Sequence, residues 1–479
     1  MPFPSAREST PIRPSQHKLP PGPSLLNPWK SNFAVQRDLL HFLNTLMQAY
    51  GDTVRFRLAL WPAYLLNRPE DVKVVLQTKS HLYDKDVLFF RMLRPWLGNG
   101  LVTNLKPESW LRQRRLIQPA FHKDRIATFD TIMTRETVEV LQRWETNDEE
   151  NQPFSMLREM QRLTLRIASR ALFGSDLSQQ LDLFNQALIE VNEFFSGYLR
   201  FPFPPLSVPT PGHQRFWRAS RFMDSVVYDL MARRLQTHEE RQDLLSLLLQ
   251  AKDEETGEAM SQQQVRDEAL TLLLAGYETT ATVLAWLWCL LAQHPRVEER
   301  LNRELDDVLA GRLPAGTDLP RLPYLQMILE ETLRLYPSGW LEMRRAREAD
   351  ELGGYYVPKN TILVWSPYLL HRHPDFWEQP ERFDPERRNR SAPSQRQARG
   401  ADAWVPFGNG PHRCIGQHFA MTEMALVVAT LAQHYRFLLA PGYQPEPEPF
   451  ITLGARHGMP MIKERRETST LTAASHPTP

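Results

Sequence analysis

Apolar residues recur every three to four positions over most of this 479-residue chain, the period of a helix with one buried face. The spacing predicts helices over Phe33–Tyr50, Asp71–Thr78, Thr128–Phe173, Ser178–Arg200, His213–His238, Arg296–Ala310 and Tyr324–Leu335. The longest such pattern, Gln263–Ala292, predicts a long central helix, and a run from Phe419 to Leu431 predicts another. Crowded apolar runs between turn signals read as strands at Val54–Leu60, Ala63–Leu66, Tyr435–Leu439 and Ile451–Leu453. Arg344 to Trp365, turning at Gly353-Gly354, reads as a small sheet. The class is therefore mainly α with a small β-rich part, α+β.

The breaks in this pattern are informative too. Phe201 through Pro211-Gly212 is too rich in proline to be helical. Leu82–Val102 carries Phe89, Phe90, Met92, Leu93 and Trp96 without a clean period, as a loop anchored on core would. Ala392–Ala401 is polar, a disordered or surface loop, and the tail from Lys463 has too little apolar content to fold. No internal repeat is visible.

Apolar content of 42% supports a large core, and a formal net charge of +1 gives no footprint for nucleic acid. Cys289 and Cys414 are the only cysteines, which excludes a disulfide framework or a four-cysteine zinc site and suits a reducing compartment. The first thirty residues, proline-studded and without an apolar core region, do not read as a secretory signal. Leu270–Ala292 has the length of a membrane span, but Glu278, Thr279, Thr280 and Thr282 lie within it. A buried core helix is the expectation, in a soluble cytoplasmic protein with no stable membrane anchor.

The candidate chemistry centres on Phe407-Gly408-Asn409-Gly410-Pro411-His412-Arg413-Cys414-Ile415-Gly416. Glycines at 408, 410 and 416 let the backbone bend and approach a flat object closely. Cys414 stands just before a predicted helix, whose positive end favours a thiolate, and a thiolate on a rigid loop can ligate iron. The string resembles the haem-binding loop of the cytochromes P-450, the haem-thiolate monooxygenases. That family usually carries Arg where this chain has His412, which makes the charge offered to a haem propionate dependent on pH.

The resemblance covers roughly residues 20 to 462, with four motifs in the family's order, and implies the family's fold around haem b with Cys414 as the axial iron ligand. It also implies one catalytic domain at 29–462, between an extended segment at 1–28 and the tail at 463–479. Trp110 and Arg114, four apart and so on one helical face, correspond to the pair that the family sets on a propionate. Arg344, with Arg345 second, corresponds to its propionate arginine on a strand, and Phe407, Gly408, His412 and Gly416 would also contact the cofactor. Ala275 and Gly276 would let haem-bound ligands approach the central helix, while Glu278 and Thr279 would supply protons during dioxygen activation. Glu331 and Arg334 share a helical face, as do Glu159–Arg162 and Glu342–Arg345. The apolar setting singles out the first pair, to which the family adds a third member, here Arg387, in a structural role.

The implied reaction hydroxylates or epoxidises an apolar substrate of fatty-acid or terpenoid/carotenoid type. The implied pocket is lined by Phe89, Phe90, Leu93, Phe194, Phe195, Leu272, Trp340, Leu341 and Leu453. Electrons would come from NAD(P)H through a separate reductase or a ferredoxin/flavodoxin-type donor docked near Arg112, Arg115 and Lys123, and the protein would act as a monomer. The alternatives are a peroxide-driven haem-thiolate enzyme, and an isomerase or sensor that does not activate dioxygen. Neither would need the Glu278-Thr279 pair.

Overall fold

The computed structural model describes residues 18–23, 38–58, 61–146, 152–174, 180–200, 203–237, 243–253, 257–388 and 402–466. Most of the segment 1–28, the loop 392–401 and the tail beyond 466 lie outside the described residues. The chain forms two compact units, Met1–Val87 with Glu342–Ser366, and Leu88–Leu341 with Pro367–Pro479.

The smaller unit is built on a five-stranded sheet in the order Thr53–Leu58, Trp61–Leu66, Ile362–Trp365, Glu342–Ala346, Tyr83–Asp84. Its middle strand, Ile362–Trp365, is buried at every position, which explains a continuous apolar run instead of an alternating one. Asp350–Leu352 and Tyr355–Val357 form a hairpin through Gly353 and Gly354, both at positive φ. A two-residue turn with two left-handed positions requires such residues. Arg345 is paired with Asp84 and Asp86, which fixes the edge strand beside it.

In the larger unit the central helix runs from Gln262 to Gln293, about 48 Å at the usual rise. Ser261 and Gln264 close its start with a reciprocal capping box, so its first turn is tied down at the sequence position where the apolar pattern begins. It is long and apolar enough to cross a membrane, yet 78% of its most apolar window is buried within the protein. Met156–Phe173 packs along it closely enough for the Thr164 hydroxyl to donate to the Tyr277 carbonyl at 2.8 Å. Trp286 stacks on Tyr336 at 3.8 Å, and its indole N–H donates to the Leu453 carbonyl. Pro323–Leu335 and Gln417–Ala432 complete the core around this helix.

The structure corrects several expectations. Leu82–Val102 is not simply a loop: Leu88–Leu97 is a helix that buries Leu93, Trp96 and Leu97, its period obscured by Pro95 within it. The long pattern Thr128–Phe173 divides into Asp130–Thr146 and Met156–Phe173, with a short strand at Phe154–Ser155 between them. Leu244–Gln250 is a further helix that the spacing did not suggest, too short and too uniformly apolar to show a polar face. At the C-terminal end, the strand Pro460–Arg465 extends past Lys463, because pairing with Tyr435–Leu439 supplies backbone bonds that composition does not reveal.

Candidate active site

The loop before Cys414 is closed by its own backbone. The Cys414 N–H donates to the Phe407 carbonyl at 2.8 Å, Arg413 N–H to Gly410 at 3.1 Å, and Gly408 N–H to Val405 at 3.0 Å. Gly408 and Gly410 take φ of 64° and 65°, where a side chain would strain the turn. A Cβ on Gly416 would come to 4.0 Å from the Cys414 sulfur. Cys414 is exposed and the helix Gln417–Ala432 begins three residues later. Cys289, by contrast, is buried, and burial pushes its thiol up to about 12. Of the two sulfurs only Cys414 is open to a ligand.

Arg114 lies near this sulfur. Burial pulls its pKa down, the Cys414 sulfur opposes that, and among the described residues no carboxylate pairs with it. A half-buried guanidinium without a counter-ion is a seat for an anion from outside the chain. Trp110, one turn earlier, lays its ring against His412 at 3.7 Å and gives its indole N–H to the Leu101 carbonyl at 3.0 Å. Arg344 and Arg345 belong to the smaller unit. There Arg344 donates to Glu342 at 3.2 Å and to the Met343 carbonyl at 2.7 Å, while Arg345 is taken up by Asp84 and Asp86.

The central helix carries the second half of the site. Between Val265 and Leu291 it is buried on every side, except that Leu272, Ala275, Gly276 and Thr279 keep free surface. These positions are i, i+3, i+4 and i+7, one stripe of a helix. A Cβ on Gly276 would meet only the Ala168 Cβ, at 3.8 Å, so protein packing does not demand glycine there. Thr279 turns its hydroxyl back to the Ala275 carbonyl at 2.6 Å. Glu278 points away from the stripe and is 7% exposed. Its Oε1 accepts from the Thr452 hydroxyl at 3.1 Å. Burial raises its pKa, partly offset by the Asn192 side chain and by Thr452. The acid is thus stored behind the open face. Asn192 and Thr452 were not legible in the sequence, since nothing local marks them as partners of a distant helix.

Glu331 and Arg334 form a bidentate pair, Nε to Oε2 at 2.8 Å and Nη2 to Oε1 at 2.9 Å, with Arg387 Nε on Oε1 at 3.2 Å. Arg334 spends its remaining N–H groups on the His371, Pro380 and Arg382 carbonyls. The rival pairs behave differently: Arg162 reaches Glu159 only at 3.5 Å with Arg162 well exposed, and Arg345 turns to Asp84 and Asp86 instead of Glu342.

The expected pocket residues separate by burial. Leu93, Phe195, Trp340 and Leu453 are packed inside the protein, Phe195 stacked on Trp96 at 5.5 Å and Trp340 bonded to the Phe450 carbonyl. Phe89, Phe90, Phe194, Leu272 and Leu341 keep free surface. Of the expected docking charges, Arg112 is paired with Glu258 at 2.9 Å and Arg115 with Asp253 at 3.3 Å, and both keep exposed surface.

An open sulfur on a glycine-closed loop, an unpaired guanidinium beside it and a small-residue stripe on a buried helix fit a large, flat, anionic metal complex. The fold and site are those of a helical haem oxidoreductase. The chain belongs to the cytochrome P-450 family, whose model matches residues 20–457, and is a monooxygenase of that haem b class. It is similar to cyclooctatin synthase of Streptomyces melanosporofaciens, 37% identical over 88% of this chain and 90% of that one. It is 36% identical to cyclooctat-9-en-7-ol 5-monooxygenase of the same organism, over 91% and 95% of the two chains. Pentalenene oxygenase of Streptomyces avermitilis is 33% identical over 88% and 91%.

Proposed function

We propose that this protein hydroxylates or epoxidises an apolar terpenoid, in the cytoplasm, with electrons from NAD(P)H delivered by a separate ferredoxin- or flavodoxin-type donor. The observation that carries the substrate class is that two extensive relatives are named for oxygenating cyclooctat-9-en-7-ol and pentalenene. The apolar side chains of Phe89, Phe90, Phe194, Leu272 and Leu341, each with free surface, support it, since apolar surface suits a ligand without charge.

Cys414 would hold haem iron through its sulfur, and Arg114, Trp110 and His412 would hold the propionates, with Phe407, Gly408 and Gly416 beside the ring. Bound haem supplies dioxygen activation and oxidation of the substrate carbon. The chain supplies the proton and the geometry. Glu278, whose pKa burial raises, would hold a proton on its carboxyl beside Thr452 and Asn192. To deliver it, the side chain must leave Thr452 and turn toward the Thr279 hydroxyl on the open stripe. Thr279 can accept there while still donating to the Ala275 carbonyl. Ala275 and Gly276 leave room for the ligand that receives it.

The test is an absorption titration of the ferric protein with a cyclic terpene alcohol and, separately, a long-chain fatty acid. A shift of the Soret band toward the high-spin position with the terpene alone is the expected result. A shift with the fatty acid alone overturns the substrate class, and a wild-type protein that binds no haem overturns the reading of Cys414.

A further inference from the structure

His371 lies outside every motif considered so far, yet it is completely buried and has both ring nitrogens engaged. The Val405 N–H can only donate, so Nε2, at 2.9 Å from it, is the bare acceptor nitrogen. The Arg334 carbonyl can only accept, so Nδ1, at 3.0 Å, carries the hydrogen. The ring is therefore a neutral imidazole locked in one tautomer. The exchange with Arg334 is reciprocal, because the Arg334 guanidinium donates back to the His371 carbonyl at 2.8 Å.

What the ring joins is informative. On one side is the helix Pro323–Leu335 with its buried Glu331–Arg334 pair. On the other is Val405, whose carbonyl takes the Gly408 N–H. Two residues further on, the Phe407 carbonyl takes the Cys414 N–H. A second tie, from the Trp404 indole to the Glu330 carbonyl at 3.3 Å, is longer and attaches before the turn begins.

We propose that His371 is a positioning residue for the Cys414 sulfur: its fixed tautomer transmits the rigid Glu331–Arg334 network to the turn that aims the thiolate. The inference rests on the reading of Cys414 as the iron ligand. Without the ring's acceptor the buried Val405 N–H has no partner, and the turn shifts to find one. The sulfur then sits off its line to the metal while the fold persists, held by the Arg334 contacts to Pro380 and Arg382.

The experiment compares His371→Phe and His371→Gln as full-length, haem-loaded proteins, with folding checked by far-ultraviolet circular dichroism. The readout is the carbon-monoxide difference spectrum of the reduced protein, which separates thiolate-ligated from thiolate-free haem. His371→Phe, which removes both bonds, is expected to raise the ratio of thiolate-free to thiolate-ligated haem about tenfold. His371→Gln, with one donor and one acceptor, is expected to restore most of the wild-type ratio. An unchanged ratio in a folded His371→Phe overturns the proposal, as does equal loss in both variants. Should His371→Phe not accumulate, His371→Asn takes its place, since its amide is too short to reach Val405; equal ratios for Asn and Gln overturn the proposal. Failure of the Cys414 reading is recognised separately, because the wild-type protein itself would then lack the thiolate signature.

Discussion

Replacing Glu331 by Gln tests the structural core of the site most directly. Arg334 is fully buried and Glu331 1% exposed, and burial pulls the arginine's pKa down while Glu331 is the main group holding it up. Glutamine keeps one oxygen but turns an NH2 toward a guanidinium that can only donate, so one of the two short bonds becomes a donor facing a donor. Oε1 also serves the Asp384 N–H at 3.1 Å and Arg387 at 3.2 Å, and both lose the charge that draws them. Breaking a buried pair from one side costs about 3–5 kcal/mol. Set against a total stability of about 5–15 kcal/mol, that is a large fraction. Urea unfolding followed by circular dichroism measures the loss, and release of haem measured in parallel shows whether the cysteine loop goes with it. The control is Glu299→Gln, whose exposed pairing with Arg303 at 3.8 Å should change stability by about 0.5 kcal/mol or less. If Glu331→Gln costs no more than this control, the account of the network as a desolvated, mutually dependent pair is wrong.

Further outcomes follow from other positions. Glu423, on the helix after Cys414, is fully buried with both carboxyl oxygens unpartnered, and burial raises its pKa well above the ordinary 4.5. The folded chain thus keeps a proton that the unfolded chain releases, a penalty absent below pH 4.5 and growing as pH rises toward the folded value. Glu423→Met should therefore raise the melting temperature at pH 8 and gain much less at pH 4; a gain independent of pH refutes this. Gly276→Ala should stabilise the central helix by about 0.5–1 kcal/mol, since the new methyl meets Ala168 at an ordinary distance. The same change should weaken the terpene-induced Soret shift, and a full-sized shift would mean that no ligand lies against that residue. Glu278→Gln should lower turnover about a hundredfold while leaving the carbon-monoxide signature intact; unchanged turnover removes the acid from proton delivery.

The helical class, the central helix and the cysteine loop are legible in the chain alone, because each is written in local terms. A 3.6-residue period and the loop glycines at 408 and 410, both at positive φ, require no knowledge of distant residues. The sequence also ranks Glu331–Arg334 above two pairs of identical spacing, because an apolar setting is itself a local signal. Which polar groups meet emerges only from the packing of the folded chain. Glu278 rests on Thr452 across 174 positions and His371 bonds Val405 across 34, and neither partner carries a mark in its own neighbourhood. The same holds for the open stripe at Leu272, Ala275, Gly276 and Thr279. Periodicity tells how a helix divides its faces, but whether a face meets protein or open space depends on the helices packed around it, and that packing is set by the whole chain.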